Sequence, residues 1–216
     1  MRVRQLGAAA LAVLAVTGLS ACRSNVGAAA VVNGRRIAES DVHKYVTPAG
    51  VDPSLKAQAE TSGQVLVPTS IALNTIVQAR VYELVLAHTP GGVPSNADLR
   101  AARDVAAQTL SGGQITSGAA LQAAISSQLT KEGLKSDLLP LVVRSIDLEY
   151  ALITRVKATS SADIAKAVAA QHVSVSVNPA YGRWSAADVS VLPPSGTDLP
   201  NFLTLQSPPV APTTAS

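Results

Sequence analysis

The chain has 216 residues, and its 17 Lys and Arg against 14 Asp and Glu give a formal net charge of +3. It shows no basic stripe, and one Phe, one Trp and four Tyr are too few for base-stacking platforms, so composition argues against a nucleic-acid partner. The single Cys leaves no intrachain disulfide, so packing of Ala, Val, Leu and Ile side chains must stabilise the fold.

The first 21 residues have the pattern of a secretory signal peptide. Arg2 and Arg4 precede an apolar run over residues 6–16, which is too short to cross a bilayer as an ordinary helix. We predict that residues 1–21 are removed on export, which leaves about 195 residues, enough for one domain with a hydrophobic core. This mature chain contains 15 basic and 14 acidic residues, a net charge of +1.

The leader ends at Leu19-Ser20-Ala21-Cys22. This tetrapeptide resembles the lipobox of bacterial lipoproteins, which implies that Cys22 receives lipid, including palmitate-type acyl chains, and becomes the mature N-terminus. Two or three acyl chains hold a protein stably at a bilayer, whereas one does so only marginally. We therefore expect a lipid anchor at Cys22, a flexible tether over residues 22–28 and a location on the extracytoplasmic face of the cell membrane. The alternative is a plain signal peptide cleaved nearby, with Cys22 an unpaired thiol.

The segment after the tether predicts a strand, a short helix and a loop. An apolar run over residues 29–32 ends at Asn33-Gly34, a turn signal, and is typical of a strand. A helix is predicted over residues 37–46, where Thr47-Pro48 ends it. The polar stretch that follows is predicted to be a loop with one helical turn around residues 54–60.

Three helices follow, over residues 69–88, 96–110 and 117–131. Apolar residues at helical spacing indicate the first and the third, and a capping box indicates the second. Their predicted caps are Thr69 or Ser70 for the first, a capping box of Ser95 and Asp98 for the second, and Ser117 with Gly133 at the two ends of the third.

The next helix, over residues 136–157, is apolar on nearly every side, which predicts a position in the middle of a bundle. Ser136 or Asp137 is its predicted cap, and Pro140 falls where a missing N–H costs least. A capping box of Ser160 and Asp163 then predicts a short helix to residue 170.

Residues 173–177 alternate strictly between apolar and polar and are the clearest strand of the chain. Because a lone strand is not stable, we predict that it pairs with Val31-Val32. The predicted fold class is mainly α: a helical bundle over residues 29–192, closed by a small two-stranded sheet that pairs the N- and C-terminal segments. Residues 193–216 are rich in Pro, Ser and Thr and are predicted to be a disordered tail.

The sequence offers no candidate active site. It contains no P-loop, no dinucleotide-binding fingerprint and no nucleophile elbow. His43, His88 and His172 are scattered and are interpreted as surface or helix-end residues, and lipidation of Cys22 leaves no soft metal ligand. Asp147 and Glu149 are two apart on a helix, point in different directions and are interpreted as solvated. We predict no catalytic residue, no cofactor, no metal site and no enzyme activity.

The order of these elements resembles the SurA-type N-terminal chaperone domain that SurA and PrsA share. Val31-Val32-Asn33-Gly34-Arg35-Arg36-Ile37 is similar to the opening of that family, and the helices at 69–88, 96–110 and 134–156 are similar to those that follow it. Asn178-Pro179-Ala180-Tyr181-Gly182-Arg183-Trp184 resembles a segment of short actinobacterial lipoproteins of this group. Only residues 158–172 separate the last long helix from the last strand, so the parvulin-type prolyl isomerase domain of SurA and PrsA has no room here.

The resemblance implies a membrane-tethered holding chaperone without prolyl isomerase activity. Its partners would be unfolded or partly folded exported polypeptides, covered transiently by an apolar groove between helices. Such a holdase needs exposed apolar surface that does not self-associate, and we expect helix 136–157 to supply it. The alternative is a structural or adaptor lipoprotein that docks one folded envelope partner.

Overall fold

A computed structural model describes residues 27–61 and 66–194 of the chain. The predictions for the leader, Cys22 and nearly all of the C-terminal tail lie outside these residues. Within them the chain forms seven α-helices and five short strands, so the mainly α fold class is confirmed.

The described chain opens with a β-hairpin. Strand β1 spans Ala28–Val32 and strand β2 spans Arg35–Ala38, and Asn33 and Gly34 join them with φ of 46° and 75°. Two successive left-handed residues are what a two-residue hairpin turn requires. The helix predicted over residues 37–46 is therefore too long at its start: Ile37 is a buried strand residue opposite Ala30, and helix α1 covers only Glu39–His43.

The predicted pairing of the first and last segments is confirmed. Strand β3, Val175–Val177, lies antiparallel to β1 with Val32 opposite Val175 and Ala30 opposite Val177. The sheet has three strands rather than two, in the order β2-β1-β3, because the hairpin adds β2 to the other edge of β1. Ala28, which was assigned to the tether, is already a buried strand residue.

Four helices follow the sheet: α2 over Pro53–Thr61, α3 over Pro68–His88, α4 over Asn96–Leu110 and α5 over Gly118–Lys131. The capping box of Ser95 and Asp98 on α4 and the Ser117 cap on α5 are confirmed. Neither Thr69 nor Ser70 caps α3, because Pro68 occupies its first position, where the fixed φ and missing N–H of proline fit. The Ser70 hydroxyl instead donates to the Tyr181 carbonyl at 2.7 Å.

Helix α6, Leu139–Val156, packs against α3, α4, α5 and α7, which confirms its predicted central position. A 3₁₀ turn over Ser136–Leu138 leads into it, and neither Ser136 nor Asp137 caps it with a side chain. Gly133 ends α5 as predicted, and its φ of 74° lets the chain approach Gly50 closely. Helix α7, Ser161–Ala170, begins at the predicted capping box of Ser160 and Asp163.

A second hairpin, of β4 (Arg183–Ser185) and β5 (Ser190–Leu192), was not predicted. It packs on α3, where the Val191 N–H donates to Asn74 Oδ1 at 2.7 Å and Gln78 Nε2 donates to the Val189 carbonyl at 3.0 Å. The α3–α6 contact forms the middle of the core. The largest fully buried side chains include Tyr82, Leu73, Leu86, Leu148, Leu152, Leu138, Leu134 and Ile37.

Candidate functional site

Exposed apolar side chains decide whether this fold offers a surface for unfolded polypeptides. On α6, the expected source of such a surface, every Leu, Ile and Val is buried or half-buried. In residues 27–61 and 66–194 the large exposed hydrophobic side chains are Val93, Val105 and Leu110, at 49%, 50% and 59% exposure. The exposed apolar surface therefore lies on α4 and on the loop before it, and α6 contributes only a wall beside it.

A groove between α4 and α6, the α4–α6 groove, has a volume of about 290 Å³ and a mainly apolar lining. Ala101, Ala102 and Val105 form its α4 wall, and Ala151 and Thr154 form its α6 wall. The groove exists because these alanines are too small to fill the space between the two helices. Val105 stands half exposed at its edge, where an apolar side chain from another polypeptide could contact it.

Charged groups lie at one end of this groove. Asp98 belongs to the α4 capping box, and Arg155 of α6 donates a hydrogen bond to the Gly92 carbonyl in the loop before α4. Hydrogen bonds from the hydroxyl and the N–H of Ser95 hold the pKa of the Asp98 carboxyl below its usual range, with a smaller contribution from the charge of Arg155. The groove thus combines an apolar floor with one carboxylate and one guanidinium that are already fixed.

A second cleft, of about 360 Å³, opens where β2, α1, α3 and α6 meet. Ile37, Ile76 and Leu148 lie on its floor, and its rim is charged. Two ion pairs cross or flank the rim: Arg144 with Glu83 at 3.2 Å and Lys44 with Asp41 at 3.9 Å. Both pairs are largely exposed, so each contributes little to the stability of the fold.

A third cleft also contains Arg144 and is lined by the ion pair of Arg103 with the buried Asp147. Asp147 on α6 is 2% exposed, and it accepts hydrogen bonds from Arg103 Nε at 3.0 Å and Arg103 Nη2 at 2.5 Å. The interpretation of Asp147 as solvated is therefore wrong. Its partner comes from α4, 44 residues earlier, so the pair joins two helices and leaves the carboxylate occupied rather than free for acid–base chemistry.

Glu149 on α6 is half-buried, and its charge acts on Tyr82 of α3 and on Tyr150 of α6. Burial raises the pKa of its carboxyl, and burial together with the Glu149 charge raises the pKa of the Tyr82 and Tyr150 hydroxyls. None of the three clefts is lined by Glu149.

The three histidines do not come together. His43 Nε2 is hydrogen-bonded to the Tyr181 hydroxyl at 2.9 Å, with the two rings edge to face. His88 bonds the Leu84 carbonyl through Nδ1 at 2.8 Å in the last turn of α3, and His172 follows α7 with a φ of 50°. No group of three His, Cys, Asp or Glu side chains suited to a metal ion occurs in the described part of the chain.

The predicted lipidation site, Cys22, lies outside the described residues. Among the helices that the structure describes, none has the length and apolar character needed to cross a bilayer.

The α4–α6 groove was not found from sequence, although a signal for it exists. On α4 the buried Leu99, Ala102 and Ala106 form one apolar stripe, and Ala101 with Val105 forms a second, four residues apart. A second stripe on one helix indicates a second apolar contact.

No protein-family model, curated protein or solved structure matches the chain.

Proposed function

We propose that this protein is a lipid-anchored, extracytoplasmic holdase, similar to the N-terminal domains of SurA and PrsA, that binds unfolded exported polypeptides without catalysing prolyl isomerisation. The observation that carries the proposal is the α4–α6 groove with Val105 at its edge. A holdase binds the unfolded state and lowers the concentration of aggregating chains by mass action. It needs apolar contact area that is small enough for release.

The dimensions of the groove support weak, transient binding. Its volume of about 290 Å³ lies at the lower end for small-molecule sites and accommodates one or two apolar side chains of an extended peptide. Asp98 and Arg155 at its end give the groove one group of each charge. The surrounding α4 surface is polar except for Leu110, which limits self-association.

The sheet supports the same proposal by analogy. Pairing of β1 with β3 brings the two ends of the helical domain together, as expected of a chain that resembles the SurA-type domain. The chain from Ala158 to His172 forms α7 and its flanking turns. That segment leaves no room for an isomerase domain at this position.

The decisive experiment is an aggregation assay with the mature chain from residue 23 onward and several unrelated unfolded proteins. The protein is expected to slow aggregation of most of them, and Val105→Gln is expected to reduce this protection severalfold. The matched control is Leu110→Gln, which removes an equally exposed apolar side chain outside the groove and should leave protection unchanged. Protection of no client by the unmodified chain, or equal loss in both variants, would contradict the proposal.

The second cleft favours a second candidate, an adaptor that docks one folded envelope partner. Its rim carries charged groups of both signs, and such an arrangement selects a partner with matching charges. Under this alternative, Arg144→Gln weakens capture of a single partner, while the aggregation assay shows no protection.

A further inference from the structure

The point where the tether joins the fold lies beside three arginines, of which Arg35 and Arg36 are exposed and Arg80 is half-buried. Gly27 is the first described residue, and the guanidinium of Arg36 on β2 reaches it so closely that a Cβ at Gly27 would lie 3.0 Å from Arg36 Nη2. Arg80 of α3 lies next to Arg36, with Nη1 at 3.4 Å from the Arg36 carbonyl oxygen. Arg35 precedes Arg36 on the same edge strand and is also exposed. We name these three side chains, Arg35, Arg36 and Arg80, the arginine patch.

None of these arginines forms an ion pair with an acidic side chain of the described chain. The ion pairs on this side of the molecule engage Asp41 with Lys44 and Glu83 with Arg144. Glu39, which directly follows β2, has its N–H bonded to the Gly27 carbonyl, and its charge adds to burial in raising the pKa of the Tyr181 hydroxyl. The positive charge of the patch is therefore not balanced by an ion pair with a described acidic side chain.

The proposed lipid anchor keeps the arginine patch close to the membrane surface. Residues 22 to 27 are joined by five peptide units, which span no more than about 18 Å at full extension. An acyl chain on Cys22 is buried in the bilayer, so Gly27 and the arginine beside it stay within that distance of the headgroups. This distance is comparable to a few Debye lengths at physiological ionic strength, about 8 Å each.

We propose that the arginine patch docks the domain edge-on against anionic phospholipid headgroups of the anchoring membrane. This inference rests on the proposed lipid anchor at Cys22, and it adds an orientation: β2 faces the bilayer, while the tether sets the local concentration of the patch at the surface. Arg35 and Arg36 point to opposite faces of an edge strand, so they flank the edge that meets the headgroups. Guanidinium groups bond phosphate oxygens in pairs, which suits them to this partner.

The strength of docking follows from the number of arginines in the patch. A basic residue near an anionic bilayer contributes about 1 kcal/mol, or about five-fold in the equilibrium between docked and undocked states. Loss of all three arginines is then expected to shift this equilibrium on the order of a hundred-fold.

The test couples the mature chain, residues 22–216, to maleimide-bearing lipid in vesicles. Cys22 is the only cysteine, so coupling is site-specific, and Trp184 is the only tryptophan, so energy transfer from it to dansyl-labelled lipid reports how close the domain lies to the membrane. Vesicles of phosphatidylcholine alone are compared with vesicles that also contain phosphatidylglycerol. Transfer is expected to be higher on the anionic vesicles at low salt and to fall to the neutral value at about 1 M salt, where the Debye length is about 3 Å.

Two triple variants decide the assignment. Arg35→Gln with Arg36→Gln and Arg80→Gln is expected to abolish the difference between anionic and neutral vesicles. The control variant removes the same number of positive charges elsewhere, from α5, from the end of α6 and from α7: Lys131→Gln with Lys157→Asn and Lys166→Gln. It is expected to retain the difference between anionic and neutral vesicles. Equal transfer on both vesicle types for the unmodified chain, or equal loss in both variants, would overturn the docking surface. Chemical coupling supplies the tether, so the outcome depends neither on lipidation in the cell nor on holdase activity. Membrane fractionation of Cys22→Ala tests lipidation separately, and the aggregation assay tests holdase activity.

Discussion

The buried ion pair between α4 and α6 allows a quantitative prediction. Asp147→Ala leaves Arg103 without its carboxylate, and breaking a buried pair costs about 3–5 kcal/mol. The Arg103 side chain is 24% exposed, so water can partly solvate the guanidinium in the variant, and the expected loss lies near the lower bound, about 3 kcal/mol. For a domain of this size the melting temperature should fall by about 6–12 °C.

The assay is urea unfolding of the mature chain, analysed by linear extrapolation. The matched control is Glu83→Ala, which breaks another Arg–carboxylate pair between helices, Arg144 with Glu83, whose side chains are 33% and 53% exposed. That variant is expected to lose about 1 kcal/mol or less.

The double variant Arg103→Met with Asp147→Leu distinguishes an unpaired charge from a lost attraction. Replacing both partners by apolar side chains of similar volume is often neutral or stabilising, so this variant should recover most of the free energy of unfolding. A loss below about 0.5 kcal/mol in Asp147→Ala, or a coupling energy near zero in the double-mutant cycle, would refute the reasoning.

Three further predictions concern stability. Gly182→Ala should destabilise the β4–β5 hairpin strongly, because φ at Gly182 is 131° and the new Cβ would lie 2.0 Å from the Leu192 carbonyl oxygen. The control is Gly113→Ala, where φ is 87° and the Cβ would meet open space, and thermal unfolding should show a loss of only about 1 kcal/mol there. Burial raises the pKa of Glu149, so its contribution to stability is present below the unfolded-state pKa and is lost as pH rises through the higher folded-state pKa. Glu149→Gln should therefore raise the urea midpoint at about pH 7 and leave it unchanged at about pH 3, and a gain at both would contradict the assignment. Ser160→Ala should remove the α7 capping box and lower the unfolding free energy by about 1 kcal/mol, with helix loss visible by circular dichroism.

The elements whose signals are local were predicted correctly. Ser95 with Asp98 and Ser160 with Asp163 fix the starts of α4 and α7 through contacts three residues apart, and such contacts are visible in sequence. The pairing of β1 with β3 is not local, but two short strands had few other partners to choose from.

The missed elements depend on context that sequence alone does not carry. Strand β2 is an edge strand with two exposed arginines, so it lacks the apolar pattern by which a buried strand is predicted. Its buried Ile37 fits a helical pattern equally well. Strands β4 and β5 have three residues each, too few for alternation to be recognised. Asp147 is buried because Arg103, which lies on another helix, is hydrogen-bonded to its carboxylate. The α4–α6 groove exists because small side chains leave space where the two helices pack.

Photo-crosslinking from the groove tests the proposed function most directly. A photoreactive phenylalanine analogue at position 105 of the mature chain is expected to crosslink an unfolded client and not the same client once folded, and the analogue at position 110 should crosslink neither form efficiently. Crosslinks of equal yield from both positions, or from position 105 to the folded client alone, would contradict a groove that binds unfolded polypeptides.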